Sequence, residues 1–430
     1  MAGQTHKRPV LNLPRQAAVR ILNGVMTEHK QLSELTQSDE FQALAPEDRA
    51  RSQRLATNTL RHVGRADRAL RPHLAKLPAV EVLNILRLGL VEIVGLRAPA
   101  HAVVNDLVSI CAASNQTRPY KGLINAVLRK AVADMTGKWD KSPVQMLPKW
   151  LRNPLREAYG NGTVMAIETA HMRGAAVDLT VTGDLATWAS TLGGTPLENG
   201  SLRLGEIGQI SALEGFAEGK WWVQDAAAAW PAAALAVTPG ETVLDVCAAP
   251  GGKTMQMAAQ GGVITALDIS ASRMERVAEN LARTQLAAEL VVANILEWQD
   301  PQQFDAVLLD APCSATGTIR RHPDLPFAKD GTGISELIEI QKQMLNATAG
   351  RVKPGGKLVF CTCSLIPDEG EVQAENFLRS HKDFTVDTGL PQAMDPAWRT
   401  EEGGFRLRPD YWSELGGMDG FYLIRMNRRG

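Results

Sequence analysis

A repeated pattern of short apolar strand, turn and helix constrains this chain more than any other feature. After residue 240, helical segments such as 272–284 and 335–349 separate five apolar runs that predict strands. The runs are residues 242–247, 262–268, 289–293, 304–310 and 356–362. This alternation predicts a doubly wound, parallel α/β sheet with ligands at the carboxyl ends of its strands. A further run, residues 421–426, predicts a last edge strand.

The first part of the chain is helical and basic. Residues 1–140 contain 20 Lys and Arg against 12 Asp and Glu, whereas the whole chain has a net charge of −1. Residues 80–96 are apolar nearly all round, which predicts a central helix. We therefore expect a helical domain over residues 1–140, a mixed α+β segment over 141–235 and the α/β domain over 236–430. The charge asymmetry favours a basic module that meets a polyanion.

One helix, predicted over residues 47–70, collects arginines on a single face. At helical spacing, Arg51, Arg54, Arg61, Arg65 and Arg68 fall within one arc, opposite the apolar positions, and Gly64 is a candidate interruption. Two interpretations stay open: a solvated face, or contact with the phosphates of an RNA backbone.

Cysteine use and apolar content limit where the protein works. Five cysteines, an odd number in a long chain, give no disulfide framework and favour the cytoplasm. Residues 1–8 lack an apolar segment, so we expect no secretory signal. The longest apolar run, residues 226–237, is too short to span a membrane, so we expect no membrane partner. Nothing in the pattern indicates a dimer, and we expect a monomer.

The turn after the first strand of the α/β region consists of small residues and a lysine. It reads Ala248, Ala249, Pro250, Gly251, Gly252 and Lys253. A P-loop would need glycine at position 247, which is cysteine, and a dinucleotide site would need a third glycine. Small residues allow close approach of a ligand. Asp268, at the end of the second strand, can accept hydrogen bonds from ribose hydroxyls. S-adenosylmethionine (SAM) fits this turn better than a nucleotide.

Thiols follow two further strands. Cys313 comes after the strand that ends at Asp310, and Cys361 and Cys363 close the fifth strand. A metal site is disfavoured because the pair lacks the Cys and His complement of a tetrahedral site, so no metal is expected. A thiolate is also a nucleophile, which leaves covalent catalysis.

A thiolate beside a methyl donor suits C5 methylation of cytosine. Addition of the thiolate at C6 makes C5 able to attack the methyl group, and a carboxylic acid near N3, such as Asp310, would stabilise the developing charge. Amine methylation needs no covalent step, and its usual Asp/Asn-Pro-Pro-aromatic motif is replaced here by Asp-Ala-Pro-Cys.

With these motifs in place, residues 236–430 resemble the Sun family of RNA 5-methylcytosine methyltransferases. The motifs are Val-Cys-Ala-Ala-Pro-Gly-Gly-Lys-Thr at 246–254, Asp-Ala-Pro-Cys-Ser-Ala-Thr-Gly at 310–317, Arg-Arg-His-Pro-Asp at 320–324 and Thr-Cys-Ser at 362–364. The start of the chain resembles the NusB-type RNA-binding domain. The resemblance implies a Rossmann-like SAM-dependent methyltransferase domain with a mixed seven-stranded sheet, after an all-helical NusB-like domain and a small α+β segment. It also implies 16S rRNA as the partner.

The resemblance also implies roles for individual residues. Cys363 matches the nucleophile and Cys313 the thiol that assists product release. Residues 247–253, beginning with Cys247, match the SAM site together with Asp268 and Asp310. Position 294 departs from the family: Asn294 replaces an aspartate near the adenine and can still hydrogen-bond.

Other residues keep two interpretations. Cys361 is expected to pack rather than react, because it lies further from the strand end. Lys253 either orients the site or has a structural role at the start of the helix. Arg320, Arg321 and His322 are expected to line the path to the site, with a loop salt bridge as the alternative. At the level of function, the same chemistry on tRNA and a non-catalytic RNA-binding factor with a vestigial SAM pocket remain open.

Overall fold

The structure, a computed structural model, describes residues 13–205, 207–389 and 393–430. Residues 1–8, on which the expectation of no secretory signal depends, lie outside this part. The chain divides into two compact units, one of residues 1–153 with 321–330 and one of residues 154–320 with 331–430.

The regular elements are numbered in chain order. The helices are α1 Leu13–Thr27, α2 Leu32–Thr36, α3 Asp39–Gln42, α4 Pro46–Arg61, α5 Val63–Leu70, α6 Val80–Leu90, α7 Ala100–Ala113, α8 Lys121–Met135, α9 Lys149–Arg173, α10 Leu185–Leu192, α11 Ala226–Leu235, α12 Gly252–Ala259, α13 Ala271–Thr284, α14 Leu325–Ala328, α15 Ile334–Ala349 and α16 Glu371–Ser380. The strands are β1 Val177–Val181, β2 Thr195–Pro196, β3 Leu202–Leu204, β4 Trp221–Val223, β5 Thr242–Val246, β6 Val263–Asp268, β7 Glu289–Val292, β8 Phe304–Asp310, β9 Val352–Thr362, β10 Phe384–Val386, β11 Phe405–Leu407 and β12 Phe421–Arg428.

The first unit is a helical bundle around α6. Every residue of this helix from Val82 to Leu90 is buried, which confirms the prediction of a central helix. A π-helical turn, Val91–Gly95, follows it. Among the buried charges, Arg87 forms a bidentate ion pair with Asp67, with both N–O distances at 2.7 Å. The bundle core is apolar and continuous, as burial of amphipathic helices requires.

The helix predicted over residues 47–70 is two helices. The break falls at His62, whose φ of −119° is non-helical, and not at Gly64. The side chain of Gln145 bridges the break: its Oε1 accepts from the Gly64 N–H at 2.9 Å, and its Nε2 donates to the Leu60 carbonyl at 3.3 Å. A distant side chain therefore satisfies backbone groups that a continuous helix would have paired internally.

The arginine face divides along this break. Arg65 donates to the Ser142 carbonyl at 2.9 Å and Arg68 to the Pro143 carbonyl at 2.6 Å, so both hold an adjacent segment of the bundle. Arg51 and Arg54, on α4, are exposed. On α4, Arg51 and Arg54 are therefore the exposed arginines of this face, whereas Arg61 at the end of the helix is half-buried.

The second unit contains the doubly wound sheet that the strand pattern predicts. Its main path has seven strands in the order β10-β12-β9-β8-β5-β6-β7, and β11 pairs beside β12 as an eighth. The strands from β9 to β7 are parallel, whereas β12 is antiparallel to β9, so the sheet is mixed. The chain reverses direction across the sheet between β5 and β8, which places a crevice at the carboxyl ends of these two strands.

The C-terminal strand corrects the edge-strand prediction. β12 pairs with β9 on one side and with both β10 and β11 on the other, and residues 421–426 are all buried. An interior position explains why residues 421–424 and 426 are all apolar, with Arg425 the one charged residue among them, because both faces of the strand are covered.

A small antiparallel sheet precedes the large one in the second unit. Its order is β2-β3-β1-β4. The buried Arg203 of β3 forms a bidentate pair with Asp178 of β1, with both N–O distances at 2.7 Å. Helix α9, before this sheet, is interrupted at Gly160, where φ is 78°.

Candidate active site

The turn between β5 and α12 is shaped for close approach of a ligand. Gly251 precedes α12 with a φ of 100°, a conformation that favours glycine. A Cβ at this position would lie 3.2 Å from Val277 Cγ1, so a side chain would strain both the backbone and the packing. The turn therefore presents backbone, and not side chains, at the end of β5.

Asp268 braces this turn from the end of β6. The carboxylate is 2% exposed and accepts from the Ala249 N–H at 3.2 Å and the Ser270 N–H at 3.0 Å. Arg273 lies 3.5 Å from the same carboxylate. Asp268 and the turn between β5 and α12, both predicted from sequence as parts of one site, are thus in direct contact.

A cavity of about 420 Å³ opens beside this turn. Seven of the predicted site residues line it: Cys247, Ala249, Asp268, Asn294, Asp310, Cys313 and Cys363. Ala248, Pro250, Gly251, Gly252 and Lys253 shape the turn without lining the cavity. The volume lies within the usual range for cofactor pockets, and an acidic edge beside apolar walls fits an adenosyl group.

Among the lining residues that were missed from sequence, three are exposed and apolar. Ile269, Leu296 and Ile340 line the cavity and keep 68%, 41% and 40% of their surface exposed. Exposed branched apolar side chains are an expected surface for a flat aromatic ring such as adenine. A sequence signal existed for two of them: Ile269 directly follows the strand that ends at Asp268, and Leu296 lies two residues after Asn294.

Asn294 forms a local turn at the cavity wall. Its Oδ1 accepts from the Leu296 N–H at 3.1 Å, and its Nδ2 donates to Glu297 at 3.2 Å. The side chain is therefore oriented by its neighbours while it lines the cavity.

Two thiols meet in the cavity. Cys313 follows β8 and Cys363 follows β9, and their Sγ atoms lie 3.4 Å apart. The hydrogen bond with Cys363 and then burial raise the pKa of the Cys313 thiol well above its ordinary value, with further contributions from the charges of Cys363 and Glu369. Cys313 therefore keeps its proton and can donate it to the sulfur of Cys363.

Lys253 and Asp310 form an ion pair at the same end of the sheet. The Lys253 Nζ lies 2.7 Å from Asp310 Oδ2 and 5.1 Å from the ring centroid of Phe421. Burial is the largest single influence and lowers the pKa of Lys253, but the charge of Asp310, the charges of Cys361 and Cys363 and the hydrogen bond to Asp310 together outweigh it, so the pKa is raised. Lys253 thus remains an ammonium group beside the carboxylate.

Cys361 lies apart from the cavity wall. Its side chain is fully buried in β9 among the apolar residues under α11, and its Sγ is 3.5 Å from Asp310 Oδ1. Burial, and next the charge of Asp310, raise its pKa well above the ordinary value. This environment favours a neutral packing thiol.

Arg320 corrects an expectation from sequence. It was expected to line the path to the site, but its side chain is fully buried, with an N–O distance of 2.9 Å to Asp225 and 3.5 Å to Asp419. The salt-bridge alternative is the observed one. Arg321 and His322 belong to the first unit, where burial, followed by the charge of Arg321, lowers the pKa of His322.

The described ranges contain neither a metal-binding cluster nor a membrane-spanning helix. Within residues 13–205, 207–389 and 393–430, no cluster of three or more His, Cys, Asp or Glu side chains could hold a metal ion. None of the helices in the same ranges has the length and apolar content needed to cross a bilayer.

A mixed doubly wound sheet with its cavity at the ends of β5, β6, β8 and β9 defines the Rossmann-like methyltransferase fold. Comparison with known protein families identifies the family within this fold. The profile described as 16S rRNA methyltransferase RsmB/F matches residues 232–427, and that of the NusB family matches residues 12–133. The chain belongs to the RsmB/F family, with a NusB-family domain at its start.

Individual relatives match over nearly the full length. Ribosomal RNA small subunit methyltransferase B of Pasteurella multocida is 34% identical, covering 98% of this chain and 97% of its own length. The protein of the same name from Xanthomonas campestris is 36% identical, over 89% and 91% of the two chains. Among solved structures, PH0851 covers 96% of this chain and 99% of its own, with a TM-score of 0.74 and 23% identity. That likeness concerns the fold.

Proposed function

We propose that this protein transfers a methyl group from SAM to C5 of a cytosine in 16S rRNA, through a covalent bond between Cys363 and C6 of the base. The observation that carries the proposal is the pair of thiols, 3.4 Å apart, in the cavity that the predicted SAM turn borders. Membership of the RsmB/F family supports an rRNA substrate. Cytosine 967 is the first position to test.

Each of the three domains expected from sequence would have its own role in this reaction. Residues 1–140 would bind RNA, residues 141–235 would add RNA contacts, and residues 236–430 would carry the reaction. The basic excess of the first 140 residues supports the first assignment.

The residues around the cavity would share the binding of the cofactor and the target. The turn from Cys247 to Lys253, with Asp268 and Asn294, would hold SAM. SAM, when bound, supplies a methyl group on a sulfonium sulfur. As a carboxylic acid, Asp310 would lie at N3 of the target base and donate a hydrogen bond while negative charge develops on the ring, and the Lys253 ammonium beside it would also stabilise that charge.

The two thiols would act in sequence. The thiolate of Cys363 adds to C6, and the electron pair moves to C5, which then takes the methyl group. Loss of the C5 proton to a base returns the electron pair, breaks the C6–S bond and restores the aromatic ring. Cys313, which holds its proton beside the Cys363 sulfur, would assist this release.

The decisive experiment measures methyl transfer from labelled SAM to deproteinised 16S rRNA and, in parallel, to tRNA. We expect labelling of 16S rRNA and not of tRNA, with the label mapped to C5 of one cytosine. Transfer to tRNA alone would show that tRNA, and not 16S rRNA, is the substrate. The absence of transfer to either RNA would favour a non-catalytic RNA-binding factor.

Three single substitutions assign the thiols. Cys363→Ala is expected to reduce transfer to background, because no nucleophile remains to add to C6. Cys313→Ala is expected to leave a covalent protein–RNA adduct on a denaturing gel. Cys361→Ala is the matched control, since its thiol is buried in β9 and does not line the cavity. Full activity of Cys363→Ala, or loss of activity only in Cys361→Ala, would contradict the assignment.

A further inference from the structure

A buried carboxylate next to the thiols has no place in the reaction described so far. Glu369 ends the short 3₁₀ turn Pro367–Glu369 after β9, and none of its surface is exposed. Its main-chain carbonyl accepts from the Thr362 hydroxyl at 2.9 Å, which ties the turn to the end of β9. A carboxylate buried this deeply needs several hydrogen-bond donors to offset its desolvation.

The donors come from the residues that directly follow each thiol. Ser314, after Cys313, donates its main-chain N–H to Glu369 Oε1 at 2.8 Å, and its hydroxyl donates to Oε2. Ser364, after Cys363, donates its hydroxyl to Oε2 at 2.5 Å. Gln341 of α15 donates to Oε1 at 3.1 Å. One carboxylate thus binds both loops that carry the thiols.

These loops need such a link because they leave different strands. Beyond Asp310 and Thr362 the regular pairing of β8 with β9 has ended, so ladder hydrogen bonds no longer fix the distance between the chains. The hydroxyls of Ser314 and Ser364 lie 3.1 Å apart, and the Gly317 N–H donates to the Cys363 carbonyl at 2.9 Å. Glu369 is the acceptor at the centre of this group.

We propose that Glu369 is a positioning residue that holds Cys313 and Cys363 at hydrogen-bond distance by binding the residue after each of them. Its effect on the reaction rests on the function proposed above, whereas its effect on the distance between the thiols does not. The negative charge of Glu369 also contributes to the raised pKa of Cys313, in keeping with a thiol that stays protonated until it is needed.

The first test measures the distance between the thiols without any enzymatic activity. With diamide as oxidant, the two thiols lose two protons and two electrons to the oxidant and form one S–S bond. Mass spectrometry of the Cys313–Cys363 peptide pair follows the rate in the full-length protein. We expect Glu369→Gln to slow this step about 10-fold or more, since small displacements of reacting atoms are costly.

The rate is compared over a range of pH, because removal of the Glu369 charge also changes the ionisation of Cys313. A slower maximum rate then reports on distance alone. Ser364→Ala removes one hydroxyl, keeps the Glu369 carboxylate and is expected to show a smaller slowing in the same direction. An unchanged maximum rate in both variants would overturn the proposal, whether or not the protein methylates RNA.

The second test follows the reaction. In single-turnover experiments with SAM and 16S rRNA, Glu369→Gln is expected to lengthen the lifetime of the covalent adduct about 10-fold or more, with KM values for SAM and RNA within about twofold of wild type. A wild-type protein that forms no adduct would refute the proposed function and leave the oxidation result standing. An unchanged lifetime in Glu369→Gln would refute the positioning role in catalysis.

Asp178→Asn is the matched control for loss of a buried carboxylate. Asp178 is 2% exposed and binds Arg203 and the Ala226 N–H, far in sequence from both thiol loops. We expect this variant to lose stability while the oxidation rate and the adduct lifetime stay within about twofold of wild type. Equal effects in the control would show that Glu369 acts only through general stability.

Discussion

Asp245 shows how one buried group can set a pH dependence. It lies near the carboxyl end of β5 and is 1% exposed, and the Thr254 hydroxyl donates to its Oδ2 at 2.5 Å. Burial is the largest influence on this carboxyl and raises its pKa from 3.8 to about 7. In the folded protein the group is thus neutral over a range in which the unfolded chain carries a charge.

We predict that Asp245→Asn removes a loss of stability with rising pH. Between about pH 4 and pH 7 the unfolded state binds fewer protons than the folded state, so the wild-type free energy of unfolding falls as pH rises through this range and then levels. Relative to wild type, the variant should gain up to about 4 kcal/mol from pH 4 to pH 7. Urea unfolding at several pH values measures the difference, and a difference independent of pH would contradict the prediction.

Lys253 illustrates why a residue's role depends on its partners. From its place in the turn before α12, Lys253 could either orient the site or have a structural role at the start of the helix. The ammonium lies 2.7 Å from Asp310, at the end of β8, rather than on a group of its own helix. The geometry therefore favours orientation of the site.

At the scale of elements, the junction between α4 and α5 depends on a side chain far away in sequence. Gln145 is 81 residues from Gly64 and contacts backbone groups on both sides of the break at His62. Each of these groups would lose its partner if the glutamine were shortened.

We predict that Gln145→Ala lowers the free energy of unfolding of the helical unit by about 1–3 kcal/mol, the usual cost of unpaired backbone groups. Circular dichroism during urea unfolding, or hydrogen exchange at the Gly64 amide, measures it. Gln116→Ala, at an exposed glutamine of the same unit, should change stability by less than about 0.5 kcal/mol. Equal effects of the two substitutions would show that the bridge across the break contributes nothing.

At the scale of the whole molecule, charge separates along the chain. The excess of basic residues in the first 140 positions is balanced by acidic residues later on. If the basic part binds RNA, exposed arginines there release counterions from the phosphates, and affinity falls with salt.

We predict that Arg54→Ala reduces the slope of log affinity against log salt for 16S rRNA by about 1, the value for one lost phosphate contact. Arg379→Gln is the matched control, because Arg379 is also an exposed helical arginine but lies in the acidic part of the chain, paired with Glu375. Filter binding at several salt concentrations measures both. The same slope in wild type and Arg54→Ala would exclude this part of α4 as a phosphate contact.

The sequence alone predicted the α/β fold and seven of the residues that line the cavity. Strand runs, small turn residues and the residues that follow strand ends are local features, and parallel strands bring their carboxyl ends together without further information. Asp268, Asp310, Cys313 and Cys363 could therefore be grouped before any coordinates were known.

Only the tertiary structure decided features whose partners lie far apart in the chain. Arg320 is buried because Asp225, 95 residues away, pairs with it, and β12 is interior because β10 and β11 both lie on its far side. Glu369 contacts Ser314 across 55 residues, and no local pattern marks that contact. Periodicity and turn chemistry act over a few residues, whereas burial and long-range pairing depend on which segments the completed fold brings together.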